Sequence, residues 1–205
     1  RGYQRAVEAA AAALRPRRAQ VVVADVFSLV SPALARVARE AWTSLLRVAP
    51  TAYAAIYRWT EGADTPAEHL AGSPWALRSF LGPSVSRLGE QLQPDLVATT
   101  HPAPLALAAD LKRNGRRFRL LSINTDYTIH GFSVFPEVDG YCMPHASLLP
   151  EMERRLVEPA RLFVTGIPVD PAFHRRGPRA EARSLLGLPP TDFTVAIMGG
   201  SLGMG

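Results

Sequence analysis

Six short apolar runs, each ending at a polar residue, a proline or a glycine, limit what this chain can fold into more than any other feature. Val21-Val22-Val23-Ala24 leads into Asp25, Leu96 to Thr100 into His101, and Leu120 to Thr125 into Asp126. Gly140 to Met143 leads into Pro144, Leu162 to Thr165 into Gly166, and Phe193 to Met198 into Gly199. The first of the six is continuously apolar and β-branched, as parallel strands covered on both faces require, and the others are comparable short runs. Helix-length segments separate most of them, Arg179 to Leu186 among them, and Gln4 to Leu14 forms another ahead of the first run. Such alternation predicts an α/β protein with a Rossmann-like, doubly wound parallel sheet, whose ligands bind beyond the carboxyl ends of the strands. Asp25, Thr100-His101, Asp126, Gly166 and Gly199-Gly200 occupy those positions.

The chain has the material for a sizeable core. Its 205 residues are 47% apolar and 20% charged, with a mean hydropathy of +0.02, and a chain of this length buries roughly 70% of its unfolded surface. Arginine and lysine number 23 against 18 acidic residues, a net charge of +5. That field favours anionic partners, phosphates or acidic lipid headgroups, without choosing among them. The basic residues are dispersed and no stacking motif accompanies them, which argues against nucleic acid as a partner. Cys142 is the only cysteine, so neither an intramolecular disulfide nor a cysteine zinc cluster can form. The five histidines show no HxxxH or HxH spacing, and no metal site is expected.

Nowhere do about 18 apolar residues follow one another, so any membrane contact is expected to be peripheral. Ala9 to Ala13 follows Glu8 and precedes Arg15, Arg17 and Arg18, flanks that suit a helix and not an export signal. The chain begins at Arg1 and ends in a glycine cluster, which reads as a piece of a longer protein. Pro32 to Val48 places Leu34, Val37, Ala38, Ala41, Leu45 and Val48 at helical spacing. Beyond Pro50, Thr51 to Thr60 carries Tyr53, Tyr57 and Trp59 beside Arg58, a pattern for core packing or for a membrane interface. Gly62 to Pro74 reads as a polar loop, and a boundary falls near 167 to 178.

Two segments carry candidate chemistry. Val195-Ala196-Ile197-Met198 runs into Gly199-Gly200-Ser201-Leu202-Gly203, a strand followed by a glycine-rich turn whose amides can approach a diphosphate. Asp126 and His130 stand four residues apart where a strand ends, a spacing that lets one orient the other as it takes a proton from a hydroxyl. The alternative is a capping Asp126 and a loop histidine. His101 ends the preceding strand and can face the same cleft, although Pro102 and Pro104 favour a rigid extended turn. His145 and His174 read as structural or solvated.

Gly2-Tyr3-Gln4-Arg5-Ala6 opening a helix, Thr125-Asp126 with His130, Asp139-Gly140-Tyr141, Val164-Thr165-Gly166-Ile167-Pro168-Val169 and Gly199-Gly200-Ser201-Leu202-Gly203 form an ordered set. In order and interval the set resembles the monogalactosyldiacylglycerol synthase and processive diacylglycerol glucosyltransferase family. These are GT-B glycosyltransferases related to the lipid II N-acetylglucosaminyltransferase. The resemblance implies a nearly complete acceptor-binding domain over 1–168, a linker over 169–178, and the start of a UDP-sugar-binding domain over 179–205. It implies inverting transfer of a hexose from a UDP-sugar, the donor substrate, to a lipid such as diacylglycerol, with no further cofactor, at the cytoplasmic face of an anionic membrane. On this reading Asp126 and His130 are the catalytic candidates, while Tyr3, His101, Gly199, Gly200, Ser201 and Gly203 meet substrate. The 205-residue chain is then expected to be inactive alone. Tyr3 stands where the family pattern has a histidine, and Ser133 where it has a tryptophan. A phenol donates a hydrogen bond but, titrating near 10, is a poor base at neutral pH. These departures leave room for a non-catalytic lipid- or nucleotide-binding module, or for a transferase with a polyprenyl-linked acceptor.

Overall fold

A computed structural model describes residues 2–31, 72–175 and 177–197, with isolated positions between 33 and 51; side chains at 72–77 are not part of that description. The expected helix over 32–48 and the aromatic segment 51–60 fall largely outside the described residues, and the glycine turn 199–203 wholly so.

Four of the six apolar runs form one parallel sheet: β1 (Leu96–Thr99), β2 (Arg119–Ile123), β3 (Gly140–Met143) and β4 (Leu162–Val164). Their order is sequential, β1-β2-β3-β4. Helices α1 (Gly2–Leu14), α2 (Val26–Val30), α3 (Gly72–Leu92), α4 (Pro102–Arg113), α5 (Leu149–Arg154) and α6 (Arg179–Leu185) complete the α/β architecture. The core gathers between α4, the sheet and the segments after β2 and β3. Leu105, Ala109, Leu120, Val138, Met143 and Met152 are each at most 2% exposed.

α4 shows how local sequence sets the site. His101 takes the N-cap position in extended conformation and its Nδ1 accepts the Ala103 N–H at 3.2 Å. Pro102 starts the helix, where its missing N–H costs nothing, so the expected extended turn is instead a helix start. Lys112 and Arg113 close the helix, where cations meet its negative end.

Asp139 fastens this helix to the sheet. It accepts hydrogen bonds from Lys112 Nζ and from the Leu120 N–H, the latter at 2.7 Å, while its own N–H donates to Leu120 O at 2.9 Å. Burial works against its charge, but Lys112, the Leu120 amide and Arg119 together hold the carboxyl below its usual range. Behind it, a Cβ on Gly140 would lie 2.9 Å from Leu121 Cδ2 and 3.0 Å from Phe163 Cε2, so any larger residue there would require these two side chains to shift. Gly166, at φ +76°, makes the left-handed turn beyond β4. The Thr165 and Gly166 amides there both donate to Met143 O.

Two expected strands do not form. Residues 19–25 are unpaired, with Val22 53% and Val23 44% exposed, and Asp25 caps α2 by accepting the Phe27 N–H and Ser28 Oγ–H. Residues 193–197 are likewise outside the sheet, with Phe193 93% and Ile197 91% exposed. An apolar run is compatible with strand conformation on local grounds, but a ladder needs a neighbour, and among the described residues neither run has one.

Candidate functional site

Helix α1 and the loops leaving β1 and β2 converge on one cleft at the carboxyl ends of the strands. Its lining includes Tyr3, Thr100, His101, Ser122, Asn124, Asp126, His130 and Ser133, over a floor that includes Leu105, Tyr141, Met143 and Met152. The register pairs Thr99 with Ser122 and Ser122 with Tyr141, so these side chains share one face of the sheet, and the last two reach the cleft. The enclosed space is about 20 Å³, room for one water.

Within it, the Tyr3 hydroxyl donates to Asp126 Oδ2 at 2.6 Å. The Tyr3 ring meets the His101 ring edge-on, centroids 5.0 Å apart at 89°, and Tyr3 O accepts from Thr100 Oγ1 at 3.1 Å. Asp126 caps no helix. Its N–H instead donates to Asn124 Oδ1 at 3.2 Å, a side-chain turn that aims the loop after β2. His130 is 6% exposed and stacks on Phe132, centroids 5.2 Å apart.

His101 is exposed at the mouth as a residue, yet lost hydration around the ring pushes its pKa below the usual histidine range. The charge on Asp126 opposes that shift and His130 adds to it. Since Nδ1 accepts the Ala103 N–H, a neutral His101 carries its proton on Nε2. Elsewhere, burial pushes the Cys142 thiol up, with the Thr165 hydroxyl opposing.

Of the residues expected to act, Tyr3, His101, Asp126 and His130 are thus brought together. Gly199, Gly200, Ser201 and Gly203 lie outside the described residues, and Asp25 is not in the cleft lining. Sequence reasoning passed over Ser122, Asn124 and Met152. Asn124 had a signal, standing two residues before an Asp at a strand end; a serine inside an apolar strand and a methionine on a short helix had none. His145 is a structural cap, its Nδ1 accepting the Ser147 N–H. Among the described residues no group of three His, Cys, Asp or Glu could hold a metal ion, and no helix is long and apolar enough to cross a membrane.

Tyr141 ties the floor together. Its hydroxyl accepts the Phe135 N–H at 2.9 Å and donates to Phe135 O at 3.0 Å. Burial pushes its pKa up to about 12. The phenol is therefore neutral in the fold at pH values where the unfolded chain, near 10, already ionises, so its contribution is complete below pH 10 and is lost as pH rises towards 12. Over that window the fold is expected to lose roughly 3 kcal/mol through this group, the free energy that separates a titration near 10 from one at about 12. Denaturant midpoints of the wild type and of Tyr141→Phe should converge as pH climbs from 10 to 12; a constant gap would refute this account.

A parallel α/β sheet with a hydroxyl- and carboxylate-lined cleft at its strand ends is a Rossmann-like arrangement, consistent with the N-terminal domain of a GT-B protein. The sequence pattern of monogalactosyldiacylglycerol (MGDG) synthase matches residues 3–169, and the chain belongs to that family. It is 23% identical over 205 residues, all of this chain and 52% of the relative, to an uncharacterized glycosyltransferase, YkoN, of Bacillus subtilis (strain 168). Over 121 residues, 58% of this chain and 31% of each relative, it is 27% identical to the processive diacylglycerol beta-glucosyltransferase of the same strain and 25% identical to that of Bacillus pumilus (strain SAFR-032). The chain spans about half the length of the first relative and about a third of the others.

Proposed function

We propose that this chain forms the acceptor side of a glycosyltransferase that moves a hexose from a UDP-sugar to a hydroxyl of a diacylglycerol-type lipid, with inversion. The observation that carries the reading is the convergence of Asp126, His130, His101 and Tyr3 on one cleft, in a chain that belongs to the MGDG synthase family. In the proposed step Asp126 or His130 removes the proton from the acceptor hydroxyl. The freed oxygen forms the new bond to the anomeric carbon, and the bond from that carbon to the diphosphate breaks, its electron pair leaving with UDP. Residues 1–168 are the proposed acceptor domain and 169–178 the linker. From 179 on, the chain would begin the donor domain, with Gly199, Gly200, Ser201 and Gly203 presenting amides to the departing diphosphate.

The lining favours one acceptor class. Among the described residues that line the cleft none is a lysine or arginine, and Asp126 contributes negative charge. A neutral hydroxyl-bearing head suits such a site, whereas a polyprenyl phosphate would meet a carboxylate without a compensating cation. The net charge of +5 supports delivery at an anionic bilayer. The test uses the protein expressed from its complete reading frame, with UDP-glucose or UDP-galactose and either 1,2-dioleoylglycerol or undecaprenyl phosphate in vesicles with and without phosphatidylglycerol. Product is expected on dioleoylglycerol, at least about ten-fold over the phosphate acceptor, and more on anionic vesicles. Preferential labelling of undecaprenyl phosphate would overturn the acceptor assignment, and no transfer to either lipid would overturn the function.

A further inference from the structure

Resting on the glycosyl-transfer reading above, we infer that Tyr3 is a positioning residue: its phenol holds the Asp126 carboxylate in the orientation from which it receives the acceptor hydroxyl. Tyr3 meets three other residues of the cleft lining. Its hydroxyl reaches Asp126, 123 residues away in sequence, at 2.6 Å, its ring abuts His101, and its carbonyl is held by Thr100. A phenol donating to a carboxylate at this distance is a charge-assisted bond, stronger and more directional than a neutral one. It occupies Oδ2 and leaves the lone pairs of Oδ1 for a substrate proton.

The geometry also assigns what Tyr3 does not do. Its O–H is committed as a donor, and a phenol keeps that proton near neutral pH. Tyr3 therefore acts through Asp126, not as the group that takes the proton. No other described contact fixes the Asp126 carboxylate in position: the loop around it is tied through backbone, by the Asp126 N–H to Asn124 Oδ1 and the Asn124 N–H to Cys142 O at 2.9 Å. Removing the phenolic oxygen frees the side chain while leaving the loop in place.

Tyr3→Phe keeps the ring packing on His101 and deletes the bond. In the protein from the complete reading frame, with 1,2-dioleoylglycerol as acceptor, kcat is expected to fall on the order of 10- to 100-fold, as misplacement of a reacting group does, with KM for dioleoylglycerol changed by less than about two-fold. Tyr3→His, whose ring N–H can donate to the same carboxylate, is expected to recover a large part of kcat. A Tyr3→Phe enzyme with wild-type kcat, or one whose KM rises while kcat holds, overturns the positioning role. If the wild type transfers no sugar, it is the functional reading that fails, and the Tyr3 contact is read without turnover. In protein labelled with ¹³C at aspartate carboxyls, the resonance identified by its loss in Asp126→Asn should move in Tyr3→Phe and stay fixed in the exposed control Tyr127→Phe. An Asp126 resonance that Tyr3→Phe leaves in place overturns the inference.

Discussion

Replacing Asp126 by Asn in the full-length protein is expected to slow sugar transfer by roughly 10²-fold or more, the usual effect of deleting a positioned general base. The substitution keeps the shape that meets Tyr3 and removes the charge that can hold a proton. His130→Gln is the companion experiment. His130 is nearly enclosed, stacked on Phe132 and close enough to influence His101 electrostatically, and it is the second candidate for the proposed proton transfer. Only one of the two takes the acceptor proton in the proposed step, and the variant with the larger loss in kcat identifies it, provided KM for the acceptor is little changed. Near-normal rates for both variants would remove the catalytic assignment altogether.

Leu120→Ala is expected to cost the fold about 3 kcal/mol, within the roughly 2–5 kcal/mol range for burying a cavity where a leucine stood. Leu120 is fully buried in β2, which has a strand on either side, and its amide is bonded to Asp139. Truncation there leaves a void between α4 and the sheet that flanking β-strands, held by their ladders, cannot close. Urea unfolding measures the loss directly. A shift under about 1 kcal/mol would mean that β2 is not the centre of the core.

Much of this arrangement was legible in the chain. The runs at 96–100, 120–125, 140–143 and 162–165 matched the strands to within two residues at their carboxyl ends. Each signals a strand, but the full cover expected of them is met only at β2 and β3: at the ends of the four-stranded order, β1 leaves Leu96 44% exposed and β4 leaves Phe163 48% and Val164 51% exposed. Position alone singled out Asp126 and His101 as candidates, since loops leaving such strands are where α/β folds hold ligands, and the structure places both in the cleft lining. The same logic over-reached at 21–24 and 193–198. Those runs are as apolar as the others, but neither forms part of the sheet among the described residues, and what differs is the company each segment keeps, not its composition. His101 exposed a subtler limit: two prolines after a histidine fit an extended turn and a helix start equally, and only the docking of α4 on the core selects the helix.

The sequence by itself determined the α/β class, a set of six candidate strands and the residues poised at their ends, because hydrophobic runs and strand-end chemistry are local properties read along one stretch of chain. The tertiary structure decided which of those residues meet. That Tyr3 bonds Asp126, that its ring rests on His101, and that Ser122 and Tyr141 form one row of the cleft depend on strand register and on where α1 docks. These contacts join segments far apart in the chain or on neighbouring strands, and they follow from packing across the whole domain.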